Sequence, residues 1–469
     1  MAAEGALPSG KLPAPPAQTP AWERLAVWLI LSLFVCVGIN NIHNLAYAGQ
    51  DYGVHADFAG QLHDNPGRWF HMDTTSRPLI YWLGSFGMWL FKERGTPAFV
   101  FSSVVFLLLN AAALGLVHAT MRRFIGSPVL RVAALLLIAL LPSTQIVSVV
   151  YAQDAVAQFP FALLCWSLLR VLEADSRPAA ASFAALAGFA LCLGNFSKFT
   201  FILLPAGMLV LIGLLWRRRL LDFHRLGVLL LATVLVPLAV SGWLVKRSQR
   251  ELANEPQRHH FTWHGSGQFT KRTLFGLKAS DVRIFDAPGY YDFEPLPGDQ
   301  KNMLLLQPGD YSYLALMHLA VFTDVLDDAN QGTFDAGTRR PQPQKTYSQW
   351  AVRLGLVFSV PAVLVVLVFI GRALINVFTG GRMPLPGVLI WGVLGLTWYV
   401  PLADALYFLE GALDWGYWLP RLVMPAIWAF GLLLFNALDE LFGAKKVIPF
   451  LVAAACVIQT CLHVLSTWY

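Results

Sequence analysis

Charge is scarce in this chain: Asp, Glu, Lys and Arg supply only 13% of 469 residues, against 56% that are hydrophobic. That balance excludes an ordinary water-soluble domain, in which roughly 25% of residues are charged. Cysteine is scarce as well. Cys36, Cys165, Cys192, Cys456 and Cys461 all fall inside apolar runs, where a thiol serves as a small soft hydrophobe, so they make neither a disulfide framework nor a zinc spacing. Residues 1–21 read as a disordered tail rich in Ala and Pro; they lack the basic segment and cleavage pattern of a signal peptide. The formal charge of +6 is scattered in short clusters between apolar runs, which argues against a nucleic-acid partner.

What the sequence has in abundance is apolar runs long enough to cross a bilayer about 30 Å thick. They predict about eleven spans, near 22–43, 98–121, 129–150, 156–172, 180–196, 199–216, 226–246, 351–372, 386–403, 419–438 and 447–467. The run 79–91 is too short to cross and reads as a helix at the interface, with Trp82 and Trp89 at headgroup level. The short loops on one side hold Arg122, Arg123, Arg217 to Arg219, Arg225, Arg372, Arg382, Lys445 and Lys446. Those on the other hold almost no cation except Lys198. The positive-inside rule then predicts a multi-pass inner (plasma) membrane protein with a cytoplasmic N-terminus. The expected organisation is a first transmembrane module, 22–246, interrupted by an outer loop at 44–97, then a large outer loop at 247–350 and a second module at 351–469.

The loop 44–97 is where titratable groups crowd together, and 50–55 reads QDYGVH. On a helix beginning near Gln50, Asp51 and His55 share a face beside an apolar stripe of Val54, Phe58 and Leu62, while Asp57 points elsewhere. Three more charges fall at the outer ends of spans: Asp154 in YAQDAVAQ, Lys198 in GNFSKFT and Arg421 in LPRLVMP. Bland roles are open to each, helix capping for the acids and snorkelling for the cations. A charge near the bilayer is costly enough that it usually has a partner or a task. Two carboxylates and two cations around one outward cavity suit an anionic leaving group such as phosphate. His259, His260 and His264 include a pair four residues apart, but Gly265 and Gly267 end any helix there and no carboxylate ligand is fixed nearby. No metal site is assigned. The Gly-Ser-Gly of the same stretch is no nucleotide fingerprint, and the sequon at Asn195 lies in or at a span.

These pieces, in order and on one side, resemble the GT-C glycosyltransferases that use polyprenyl-phosphate sugars, near protein O-mannosyltransferases and the lipid A aminoarabinose transferase. The motifs that carry the resemblance are QDYGVH with Asp51, SRPLIYWLGSFGMWLF, in which Arg77-Pro78 stands where the family has Pro-Pro and Arg77 is placed for phosphate contact, Asp154 followed by GNFSKFTFILLP, and LPRLVMP with Arg421. The likeness covers about 22–246 and 386–438; loop 247–350 matches no motif. It implies an all-α polytopic fold with juxtamembrane helices and a mixed outer loop. It also implies inverting transfer of a sugar from a polyprenyl-phosphate donor to a hydroxyl of a glycan, lipid or protein acceptor. Asp51 is the expected general base and Asp154 its support or the acceptor's guide. Arg77, Lys198 and Arg421 are expected to face the departing phosphate, and His55 and Asp57 to bind substrate. A divalent metal is compatible with this chemistry, but nothing in the sequence requires one. A secondary transporter or flippase for a lipid-linked sugar and a membrane scaffold are the other readings, the former disfavoured by the outer position of the charges.

Overall fold

Backbone in hydrocarbon must satisfy its own hydrogen bonds, so apolar runs of this length become helices. The structure, a computed structural model, describes residues 19–45, 52–66, 77–254, 318, 321–322, 342–379, 384–408, 419–445 and 447–467, and all regular structure among them is helical. Among the described residues, nine helices are long and apolar enough to cross a membrane. They fall at α1 (Ala21–Leu45), α4 (Thr96–Met121), α7 (Asp154–Glu173), α8 (Arg177–Ser197), a 3₁₀ turn Phe199–Leu203 with α9 (Leu204–Arg217), the rod α10–α11, α12 (Gln342–Thr379), α14 (Leu419–Phe442) and α15 (Val447–Thr467). The rod runs from α10 (Phe223–Leu230) through a π turn into α11 (Val236–Asn254). Between α1 and α4 lie two short helices, α2 (Tyr52–Asp64) and α3 (Leu79–Phe91). A further helix, α13 (Pro386–Phe408), separates α12 from α14.

Among the described residues the expected spans are not all continuous helices. The run read as one span at 129–150 is broken into α5 (Pro128–Ala139) and a single turn and a half, α6 (Pro142–Val147). Proline explains the break: the residue before it is pushed out of helical geometry, and Leu141 adopts φ −57°, ψ 135°. Helix α13 is 23 residues long, and its stretch Pro386–Val400 is apolar.

Bonds between distant segments show which helix ends lie together. At one end, Arg123 pairs with Glu173, Arg225 donates to the Ala174 carbonyl, and Arg218 donates to the Pro384 carbonyl. There too Asp439 accepts from the Gly126 and Ser127 amides at 2.6 and 2.9 Å, tying α14 to the start of α5. This is the basic end. Here Glu23, completely buried, receives two guanidinium N–H bonds from Arg131, both 2.7 Å, and a third from His118 at 3.0 Å. The carboxylate thereby clamps α1, α4 and α5 together.

Helix α3 lies at the opposite end. Its 13 residues span about 20 Å, too little to cross. It stops where Lys92 turns left-handed, φ 52°, and the Glu93 amide returns to the Met88 carbonyl. Ile80, Tyr81, Gly84, Gly87 and Met88 form its buried face, whereas Phe86, Trp89, Leu90 and Phe91 are exposed, as expected of a helix facing lipid. Trp82 packs on Phe196 at the end of α8. Gly84 has no room for a side chain: a Cβ would sit 2.2 Å from the Tyr151 hydroxyl, which donates to the Ile80 carbonyl at 2.7 Å. This contact fixes α3 against the turn that precedes α7.

From the long segment between α11 and α12, the described residues His318, Val321 and Phe322 are helical and dock on α12, α15 and α6. His318 Nε2 donates to the Val352 carbonyl and its Nδ1 accepts from the Ser359 hydroxyl, both at 2.9 Å. Burial holds this imidazole neutral and pushes its pKa down to about 4, against a smaller upward pull from the Val352 bond. A folded-state pKa below the unfolded value near 6.5 gives stability that is complete above pH 6.5 and is lost as pH falls towards 4. The loss is on the order of 3 kcal/mol. Between pH 7 and 4.5 the Tm of the wild type is expected to fall further than that of His318→Asn; parallel falls would mean that another group controls the acid limb.

Candidate active site

At the end opposite the basic one, the α7–α8 hairpin brings the first residue of α7 beside the last turn of α8. A carboxylate is favoured at a helix N-terminus and a cation at a C-terminus, and the chain places Asp154 at the first and Lys198 at the second. The two are 5% and 6% exposed, and Lys198 Nζ donates directly to Asp154 Oδ1. Below them, the Trp398 ring of α13 lies 6.0 Å from Nζ. Trp398 itself is packed edge-on against Phe161 and Phe201. The ammonium thus has a carboxylate on one side and an aromatic face on another, two surroundings that favour a cation.

Arg77 stands two residues before the start of α3 and is 1% exposed, with its guanidinium carbon 5.3 Å over the Phe199 ring, one residue beyond Lys198. Together with Trp82 on Phe196, this contact closes α3 over both sides of the Lys198 turn. The α2 side arrives through Tyr81. Its buried hydroxyl lies 2.9 Å from His55 Nδ1 and accepts from Gln153 Nε2 at 3.2 Å, Gln153 being the residue before Asp154. Asn110 of α4 holds the same turn by donating to the Ala155 carbonyl at 2.7 Å. Three further buried polar atoms near the pair in sequence, Gln158 Oε1, Thr200 Oγ1 and Asn195 Oδ1, have no hydrogen-bond partner among the described residues.

Asp154, Lys198, Arg77 and His55 are therefore gathered at one end. Asp57 is not. It is exposed and accepts from Gln61 at 2.6 Å on the same helix face. Asp51 lies outside the described residues, as do His259, His260 and His264, and Arg421 lies on α14 with its side chain outside them. Among the described residues no group of three His, Cys, Asp or Glu side chains stands close enough to hold a metal ion.

Comparison with solved structures finds the archaeal oligosaccharyltransferase AglB from Archaeoglobus fulgidus, in complex with an inhibitory peptide and a dolichol-phosphate, at a TM-score of 0.52. That match covers 96% of this chain and 56% of that one at 14% identity. The chain has the fold of the GT-C superfamily. In sequence, the model of the dolichyl-phosphate-mannose-protein mannosyltransferase family matches residues 74–243. Arg77, Asp154 and Lys198 all fall within that stretch. ArnT from Cupriavidus metallidurans is similar at 16% identity and a TM-score of 0.41, covering 89% of this chain and 78% of that one. The S. cerevisiae protein O-mannosyltransferase Pmt1–Pmt2 complex, bound to its sugar donor, is similar at 18% identity and 0.39, covering 54% of this chain and 37% of that one. The chain thus spans about a third of the yeast chain's length and just over half of AglB's. No curated protein matches it in sequence.

Tyr81 and Gln153 were not singled out by any motif. Tyr81 resembles one more aromatic residue in an interfacial helix, and Gln153 a loop residue. The available signal was their position, four residues after Arg77 and one before Asp154.

Proposed function

We propose that this chain is a membrane glycosyltransferase that moves a sugar from a polyprenyl-phosphate donor to an acceptor hydroxyl on the outer face, with inversion. The observation that carries the reading is the buried cluster of Arg77, Asp154 and Lys198 at the end opposite the arginine-rich loops, within the stretch matched by the mannosyltransferase family. The positive-inside rule supports an outer position for that end and a cytoplasmic N-terminus.

The acceptor oxygen attacks the anomeric carbon as the bond from that carbon to the phosphate oxygen breaks. A single displacement inverts the centre. The departing polyprenyl phosphate carries away the bonding electrons, and Arg77 and Lys198 meet the charge it gains; Arg421 completes the set by its place at the start of α14. Asp154 fixes the direction of the buried Lys198 ammonium, which is the part a buried carboxylate paired with a lysine can play. Asp51 takes the acceptor proton. Because the donor is anchored in the membrane, the enzyme can take it up laterally between its helices and needs no nucleotide domain.

Asp51→Asn is expected to lower transfer from a polyprenyl-phosphate sugar in proteoliposomes by at least about 100-fold while leaving Tm unchanged. Asp57→Asn is expected to change little, because that carboxylate is exposed and bonded to Gln61. The reverse pattern would move the base to Asp57, and a wild type inert towards every polyprenyl-phosphate sugar would sink the reading.

A further inference from the structure

Gln158 follows Asp154 by four residues on α7 and precedes Phe161 by three, so the three share one face of the helix. Both ends of that face are placed. Asp154 accepts from the Lys198 ammonium, and Phe161 packs edge-on against Trp398 at 5.6 Å, the ring that lies 6.0 Å from the same ammonium. Gln158 thus stands between the lysine's carboxylate and the aromatic layer beneath it. Side chains on a helix lean towards its N-terminus, which directs this amide towards Asp154 and away from the basic end. Gln158 is 2% exposed, and its Oε1, cut off from solvent, has no hydrogen-bond partner among the described residues. Burying a polar atom without a partner is unfavourable, so such a group in a folded protein calls for a ligand or a trapped water. Asn195, also unpartnered at Oδ1, does not belong to this face: its Nδ2 donates to the Pro237 carbonyl at 3.5 Å, which turns it towards α11.

The surroundings select the ligand. A phosphate is repelled from a position beside the Asp154 carboxylate, and a lipid chain offers an amide nothing to bond. A hydroxyl suits it: an amide gives through nitrogen and takes through oxygen, and a hydroxyl does both, so the match holds whichever way the amide is turned. We propose that Gln158 is a specificity-determining residue that hydrogen-bonds one hydroxyl of the donor's sugar, placing that sugar along the Asp154–Gln158 turn of α7. This rests on the glycosyltransferase reading.

The test pairs a substitution with donors that lack one hydroxyl. Polyprenyl-phosphate hexoses and pentoses are offered to the wild type in proteoliposomes, and the monodeoxy forms of the sugar it accepts are then compared. Removing one particular hydroxyl is expected to lower the wild-type kcat/KM about 10-fold. Gln158→Met, apolar and of similar length, should start about 10-fold lower on the full sugar and be indifferent to that hydroxyl, while the other deoxy positions affect both proteins alike. Its Tm should hold or rise, because an unpartnered buried polar group is gone. Gln158→Asn withdraws the amide by one methylene and should lose the same discrimination, which keeps the test open if the Met variant fails to insert. Ser167→Ala is the control: Ser167 is completely buried with an unpartnered hydroxyl, about 14 Å further along α7, and its removal should leave transfer unchanged. Undiminished transfer by Gln158→Met would mean that the amide holds a trapped water only, and overturns the proposal. An equal loss in Ser167→Ala, or a Gln158→Met that still discriminates every hydroxyl as the wild type does, would show an effect of packing and overturns it too. A wild type inert towards every donor overturns the enzyme reading and this role together, whereas an active wild type with an indifferent Gln158→Met sinks this role alone.

Discussion

Asp154→Asn is expected to damage the protein twice, and the two effects can be separated. The substitution leaves the Lys198 ammonium buried without its carboxylate, a situation that typically costs about 3–5 kcal/mol. Tm should drop sharply. Transfer should fall by roughly 10²- to 10³-fold in the protein that remains folded, since a cation that has lost its proton or its direction cannot meet the leaving phosphate. Lys198→Met alone should destabilise for the mirror-image reason. The double variant Asp154→Asn/Lys198→Met removes both charges and is expected to recover most of the lost Tm, because a neutral filling of similar volume is tolerated where a lone ion is not. It should remain inactive. Recovery of transfer with stability would reduce the pair to a structural clasp and move the phosphate-facing role to Arg77 and Arg421.

Glu23→Gln is expected to have an effect of similar size on stability and none of its own on chemistry. Glu23 sits at the basic end, far along the bundle from Asp154, and its carboxylate accepts from Arg131 and His118 together. An amide in its place keeps one acceptor oxygen but no charge, so the buried Arg131 guanidinium faces only neutral oxygens, this one and the Ile125 and Gly126 carbonyls at 2.8 and 2.9 Å. A loss of about 3–5 kcal/mol follows. Thermal unfolding in detergent checks it, with Glu23→Gln/Arg131→Met as the compensated control. If Glu23→Gln shifts Tm by no more than an ordinary surface change, the clamp on α1, α4 and α5 is wrong.

The sequence announces α3 from Leu79 to Phe91, because its apolar run is too short to cross and is flanked by polar residues. It also marks Asp154 and Lys198, since isolated charges beside spans are conspicuous. Their union is not legible: residues 44 apart meet only because α7 and α8 form an antiparallel hairpin. The break at Pro142 was readable from the proline itself and was outweighed by the hydropathy of its neighbours. Glu23 and Arg131 carried a signal that went unused, opposite charges inside two expected spans, where an unpaired ion is hard to tolerate. Tyr81 carried none, because a phenol in an aromatic-rich interfacial helix looks alike whether it faces lipid or a histidine.

The floor beneath Lys198 limits how molecules can come and go. Trp391, Trp398 and Trp428 are buried, and Phe161 and Phe201 pack edge-on against Trp398, so aromatic rings crowd the layer beneath Lys198. In the reading proposed above, a donor reaches the ammonium from the rim or sideways from lipid and its carrier leaves by the same way. In the proposed reaction the spent carrier therefore has to clear that threshold before a fresh donor can dock, which makes traffic at the mouth a candidate for the slow step of each cycle.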